Sequence, residues 1–227
     1  GPGFGVLTKF LLEKAGKVVS IEIDTRLKEV LDYTLSEYDN FEFVQSDALK
    51  IDLKKLIEEK FIQKKIVVVA NLPYYVTTPI ITKLLESDLD LDSITIMVQK
   101  EVAQRLVADE KSKDNSSISM FVKYYADANI AFNVSRNVFV PAPNVDSAVV
   151  NLKLKKERFE YEKTMFKLIK NGFENRRKTI LNSFCKSGIE KEKIILVLEK
   201  LNIDTRTRAE KLSLEDFKNI TREYEKL

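Results

Sequence analysis

From residue 18 to residue 154, short apolar runs of strand length alternate with amphipathic stretches of helix length, and that alternation leaves few folds open. The runs at 18–24, 41–45, 66–70 and 93–99 are rich in Val, Ile and Phe and are bounded by turn signals, so each is expected to be a strand. Helices are expected at 25–35, 53–60, 101–107 and 119–125, and another opens at Thr77-Thr78-Pro79. In that one Thr78 is expected as the cap and Pro79 as the first helical residue. Two late strands are expected near 129–134 and 145–154, with a polar loop at 111–117 and a rigid Pro-rich loop at 138–144. Such an order implies an α/β fold on a doubly wound sheet. Ligands of such sheets sit beyond the carboxyl ends of the strands.

Four elements fall at those ends. The run Ile66-Val67-Val68-Val69-Ala70 is followed by Asn71-Leu72-Pro73-Tyr74. The Asn71 side-chain carbonyl can accept a hydrogen bond from an exocyclic amine. Pro73 removes a backbone donor and sets the turn, leaving nearby carbonyls free to accept. Tyr74 offers a flat face for a base. Together they suit a planar ring bearing an NH2 group. Glu22 closes the 18–24 run, 17 residues after Gly5, where an acid can accept from ribose hydroxyls. Asp47, in Ser46-Asp47-Ala48, follows the 41–45 strand. The chain opens on Gly1-Pro2-Gly3-Phe4-Gly5, a turn feeding a helix that runs to Ala15 and permitting close approach to the backbone. A leader and a first strand are expected to be missing ahead of Gly1. Each element alone reads equally as an ordinary turn or cap. Their convergence on one edge points to a ligand site.

Composition excludes several chemistries. The 227 residues contain one cysteine, Cys185, and no histidine. An internal disulfide is ruled out, a zinc site of the usual kind has no ligand set, and Ser-His or Cys-His nucleophilic mechanisms are excluded. No apolar run approaches the ~18–20 residues of a membrane span, and no signal peptide is expected. The lone cysteine suits a reducing compartment, which places the protein in the cytoplasm.

After residue 154 the pattern becomes all-helical. Helices are expected at 161–171, 177–185, 192–201 and 213–224, joined by Gly172, Gly188 and a linker at 202–210. The organisation is therefore a catalytic domain at 1–154 and a small helical domain at 155–227. The first carries a net charge of −3 and the second +6. The cations Arg176, Arg177, Lys178, Arg206 and Arg208 cluster in the second, as a polyanionic partner would require. They serve equally as a solvated helix surface, or as partners of nearby acids such as Glu174.

Gly-Pro-Gly-x-Gly-x-Leu-Thr, Ile-Glu-Ile-Asp, Ser-Asp-Ala, Asn-Leu-Pro-Tyr, Gln-Lys-Glu-Val-Ala-x-Arg-Leu, Phe-x-Pro-x-Pro-x-Val-Asp-Ser-Ala-Val-Val, Arg-Arg-Lys-Thr-Ile-x-Asn and Arg-Ala-Glu-x-Leu-Ser follow one another in that order. In this the chain resembles the bacterial small-subunit rRNA adenine dimethyltransferases, the KsgA/RsmA family, over residues 1 to about 220. The resemblance implies a Rossmann-like S-adenosylmethionine-dependent methyltransferase sheet with a C-terminal helical domain. It implies transfer of methyl groups to the N6 amines of two adjacent adenines near the 3′ end of 16S rRNA, by a monomer needing no metal. By motif, Gly1, Gly3, Gly5, Glu22, Ile23, Asp47, Ala48 and Asn71 would hold the cofactor. Asn71, Leu72, Pro73 and Tyr74 would hold the target adenine, with Phe139 covering its other face. The basic cluster would contact rRNA in the small subunit. Two other readings stand beside it: a 23S rRNA methylase of the macrolide-resistance type, which shares Asn-Leu-Pro-Tyr, and a non-catalytic assembly factor.

Overall fold

The computed structural model describes residues 1–62, 65–110, 112–186 and 188–227. Its first half alternates as expected: α1 (Val6–Leu12), β1 (Val18–Glu22), α2 (Leu27–Thr34), β2 (Phe41–Gln45), α3 (Leu53–Lys60), β3 (Ile66–Asn71), α4 (Thr77–Glu86) and β4 (Leu91–Gln99). Then come α5 (Lys100–Leu106), α6 (Ser117–Tyr125), β5 (Ala126–Val134) and β6 (Ser147–Leu154). β1 and β2 pair in parallel, as do β3 and β4, whereas β6 runs antiparallel to both β4 and β5. The strands form two ladders, β1–β2 and β3–β4–β6–β5, and no ladder joins β1 to β3 among the described residues.

The second ladder is held by its central pair. Ile94, Ile96 and Val98 of β4 oppose Leu152, Val150 and Ala148 of β6, and all six are fully buried. With a side-chain period of two they share one face. On the alternate positions Asn151 donates its amide to the Thr95 hydroxyl across the same pair, at 2.8 Å.

That buried face continues into the C-terminal helices α7 (Glu162–Glu174), α8 (Ile180–Lys186), α9 (Lys191–Lys200) and α10 (Leu214–Glu225). One apolar cluster runs from the strands through Met120 and Val122 of α6 to Met165, Phe184, Val197 and Phe217. A smaller cluster, Leu12, Leu31 and Leu35, lies under β1 and β2. Where sheet and helices meet, Glu162 accepts from the phenols of Tyr124, at 2.7 Å, and Tyr125. Burial pushes the Tyr124 phenol up to about 12 and raises that of Tyr125 as well, so both remain donors. None of the described helices is long and apolar enough to cross a membrane.

Several expectations need correcting. β1 ends at Glu22, and Asp24 lies beyond it, outside the strand. The helix after Asn-Leu-Pro-Tyr is capped by Val76, not Thr78, because a 3-10 turn at Tyr74–Val76 runs directly into it. Pro79 is then its third residue, still among the N–H positions with no intrahelical acceptor. The expected loop at 111–117 is irregular from 112 to 116, Ser117 opens α6, and Lys111 lies outside the described residues. The helix expected from Arg177 begins at Ile180, where Asn182 donates its backbone N–H to the Thr179 hydroxyl. Gly172 is no joint but an internal residue of α7.

Gly172 serves packing. A Cβ there would lie 3.0 Å from the Cβ of Ala209 and 3.2 Å from Cδ1 of Ile180. Gly172→Ala should gain ~1 kcal/mol of helix propensity and lose ~1–3 kcal/mol to overpacking. We expect a lower denaturation midpoint for Gly172→Ala and a far lower one for Gly172→Leu. A midpoint raised by both would show that the helices have room to spare. Amide exchange should also be faster along β1 and β3, each with one unpaired edge, than along β4 and β6.

Candidate functional site

Strand register assembles the site. Asn71, the last residue of β3, pairs with Met97, two residues short of the end of β4. Gln99 at that end pairs with Ser147, the first residue of β6, and Ser147 pairs with Val134, the last of β5. The carboxyl ends of β3, β4 and β5 therefore meet at one edge, and residues 135–146 leave from it and return to it. The Tyr74 hydroxyl and the buried Ser147 Oγ lie 2.9 Å apart, tying the turn after β3 to β6.

Within that turn Leu72 is buried and anchors the chain, while Asn71 is exposed. The Asn71 amide has no hydrogen-bond partner among the described residues, so its carbonyl is free to accept. The Pro73 carbonyl is not free: Val76 N–H donates to it at 3.1 Å and the Thr77 hydroxyl at 3.2 Å. This narrows the expected acceptors to the Leu72 carbonyl, which has no partner among the described residues. Phe139 is half-buried in the loop at the same edge, between exposed Val138 and Val140. It is not in ring contact with Tyr74.

The other predicted residues gather at the end of the β1–β2 ladder. Glu22 Oε1 accepts the N–H groups of Ile23, at 2.8 Å, and Asp24, at 3.0 Å. Its second oxygen faces the glycine turn so closely that a Cβ on Gly1 would lie 2.3 Å from it. Gly3 and Gly5 have φ of +55° and +88°, the left-handed region glycine enters without strain. The Ile23 side chain is 67% exposed beside Glu22. Ser46 N–H donates to the Glu22 carbonyl, which sets Asp47 and Ala48 next to it. Asp47 Oδ1 accepts from Leu49 N–H at 2.8 Å, and Oδ2 lies 4.0 Å from Lys50. Lys83 of α4 donates to the Ile51 carbonyl at 2.6 Å, linking the turn after Asp47 to the helix that follows Asn71. Neighbouring Asp24 is engaged elsewhere: hydrogen bonds from Arg26 hold its carboxyl down at about 2.

The five predicted cations divide. Arg176 donates to the Lys113 carbonyl at 3.0 Å and lies 3.6 Å from Glu210, not Glu174. Arg206 is forked on Asp204. Arg177, Lys178 and Arg208 are exposed and have no partner among the described residues. The N–H of Ile180 donates to the Thr207 carbonyl at 2.7 Å, which brings the turn at 176–178 against the loop carrying Arg208. Sequence reasoning missed Ser147 as the partner of Tyr74. It also missed Arg136, whose backbone N–H donates to Asp146 Oδ1 at 3.0 Å and whose guanidinium donates to the Asn144 carbonyl. The Val145-Asp146-Ser147-Ala148 motif was the available signal.

Residues 1–226 match the sequence model of the family described as ribosomal RNA adenine dimethylase. A protein from Ligilactobacillus salivarius named ribosomal RNA small subunit methyltransferase A is 47% identical over 97% of this chain and 77% of its own length. Its namesake from Alkaliphilus metalliredigens is 44% identical over 98% of this chain and 79% of its own. Among solved structures, a dimethyladenosine transferase from Plasmodium falciparum superposes with a TM-score of 0.82 at 29% identity, covering 100% of this chain and 88% of that one. The 23S rRNA methyltransferase ErmE superposes at 0.73 with 23% identity, covering 99% of this chain and 88% of that one, a likeness of fold.

The Tyr74–Ser147 contact yields a check on the assembled edge. Tyr74→Phe and Ser147→Ala should each cost about 1 kcal/mol of stability. The double variant should cost little more than either alone, because the two act through one bond. Fully additive losses in a denaturation cycle would show that the contact is not made in solution.

Proposed function

The chain belongs to the ribosomal RNA adenine dimethylase family, and we propose that it transfers methyl groups from S-adenosylmethionine to the N6 amines of two adjacent adenines near the 3′ end of 16S rRNA. The observation that carries this reading is the pair of unpartnered acceptors, the Asn71 amide and the Leu72 carbonyl, beside the Tyr74 ring. An adenine amine is a poor nucleophile because its lone pair is delocalised into the ring. Two acceptors, one for each N–H, favour a more tetrahedral nitrogen and turn its lone pair outward. Preorganised acceptors of this kind can supply several kcal/mol of a barrier without a general base, because the nitrogen becomes cationic and acidic on methylation and then loses its proton to solvent. A chain with no histidine can run such a reaction. Tyr74 offsets part of the cost of unstacking the base, with Phe139 on the loop above the same edge.

The residues at the β1–β2 end fit the cofactor. Bound S-adenosylmethionine supplies a methyl group on a sulfonium whose departing thioether is neutral. The turn at Gly1, Gly3 and Gly5, with open space beside Gly3, takes its methionine part, and Glu22, already oriented by two N–H groups, presents its second oxygen to ribose hydroxyls. Asp47 accepts from the adenine amine of the cofactor, and Ile23 and Ala48 flank it. Arg177, Lys178 and Arg208, whose side chains have no partner among the described residues and whose segments the Ile180–Thr207 hydrogen bond joins, bind rRNA phosphates. In this reading the protein is a cytoplasmic monomer working on the immature small subunit.

Methyl transfer from tritiated cofactor, compared on small subunits and on 23S rRNA, tests the assignment. Label confined to the small subunit is expected. Label on 23S rRNA, or none on either, would overturn it. Asn71→Ala should lose activity by orders of magnitude while keeping most of its RNA affinity. Glu22→Ala and Asp47→Ala should weaken cofactor binding by about 1–3 kcal/mol in calorimetry. Replacing Arg177, Lys178 and Arg208 with Ala should flatten the plot of log affinity against log salt by ~0.7–0.9 per lost phosphate contact and leave cofactor affinity alone.

A further inference from the structure

We propose that a polar groove beside the catalytic edge is a second RNA site, in which Lys100 and Arg136 hold the phosphate of a nucleotide flanking the target adenine. The proposal rests on the rRNA methyltransferase reading and extends it from the reacting base to its neighbour in the strand. The groove has a volume of about 480 Å³ and lies between the start of α5 and the loop at 135–146. Asp146 builds it: its carbonyl accepts from Lys100 N–H at 2.9 Å and its Oδ1 from Arg136 N–H at 3.0 Å. One residue thus brings two cations from segments 36 positions apart to one place.

Those cations are available. The Lys100 side chain is exposed and has no partner among the described residues. Arg136 gives one guanidinium N–H to the Asn144 carbonyl at 3.1 Å and keeps the others. Of the two acids nearby, Glu101 is held by an ion pair with Arg105 and Asp146 by a single hydrogen bond, one oxygen accepting from the Arg136 backbone. Gln99 and Gln104 add neutral amides suited to a base edge or a ribose hydroxyl.

Position identifies the occupant. Asp146 directly precedes Ser147, whose hydroxyl contacts Tyr74, so the groove opens beside the turn that takes the target base. An enzyme acting on an extruded or single-stranded base must also hold the strand on either side of it. Cations next to an aromatic platform do this without reading sequence. This site sits at the sheet edge and is separate from the cations of the C-terminal helices.

The test uses the full chain and a short single-stranded RNA containing adjacent adenines, followed by fluorescence anisotropy across a salt series. Lys100→Ala should reduce the slope of log affinity against log salt by about 0.7, and the double change with Arg136→Ala by about 1.4. Lys100→Arg should restore the slope, and calorimetry should show cofactor affinity unchanged. The apparent KM for small subunits should rise more than kcat falls. An unchanged slope in Lys100→Ala, whose side chain holds nothing else in the fold, overturns the proposal, as does salt-independent binding by the unaltered chain. Oligonucleotide binding needs no methyl transfer. Loss of the broader reading would instead show as an unaltered chain that fails to methylate small subunits.

Discussion

Ile94, Ile96 and Val98 face Leu152, Val150 and Ala148 across the β4–β6 ladder, and every one of these side chains is sealed from solvent. Burying a Val, Leu or Ile contributes about 1.5–3 kcal/mol, and a one-residue slip of either strand would turn its three outward. That register sets where the chain reverses at Gln99 and Ser147, and hence where Tyr74 finds a hydroxyl. It also sets the place from which the Phe139 loop springs. The same buried face receives α6, and through it the C-terminal helices. The carboxyl edge of β3, β4 and β5 and the C-terminal helices are therefore held by one continuous core.

Charges are sorted by equally local rules. Asp-Thr-Arg occurs twice, at 24–26 and 204–206, with the same outcome. In each, Arg donates both its backbone N–H and its guanidinium to the Asp two residues earlier, and the carboxyl is held down at about 2. The pairing takes Asp24 away from the ligand edge and leaves Glu22 as the acid facing the glycine turn. It also takes Arg206 out of the set of partnerless cations. Of the five clustered cations, Arg177, Lys178 and Arg208 are thus left without a side-chain partner among the described residues, on two segments joined by the Ile180–Thr207 hydrogen bond.

Residues 110 and 112–115 tie the helical segment to the sheet side. Glu110 accepts from Leu214 N–H at the start of α10, Arg176 reaches the Lys113 carbonyl, and the buried Asn115 amide donates to Glu110 and Glu210 carbonyls. Rather than swinging free, the helical segment is stitched to the sheet side through polar groups as well as through the shared core. Such stitching keeps the helical segment in a constant relation to the sheet.

The sequence by itself determined whatever depends on neighbours along the chain. Period and turn residues marked 41–45 and 53–60 to the residue, and placed Asn71 at the end of its strand. They also set Glu22 at the end of its strand and the glycines in the turn ahead of α1. Tertiary structure alone decided the rest. It showed that the Pro73 carbonyl is occupied while that of Leu72 is free, that Gly172 packs against Ala209, and that Arg176 turns to Glu210. It also showed that Tyr74 leans on a serine 73 residues away. Local periodicity encodes which face a residue presents, not which distant atom it will meet. Those meetings are fixed by how the elements pack, and packing is settled only when the whole core closes.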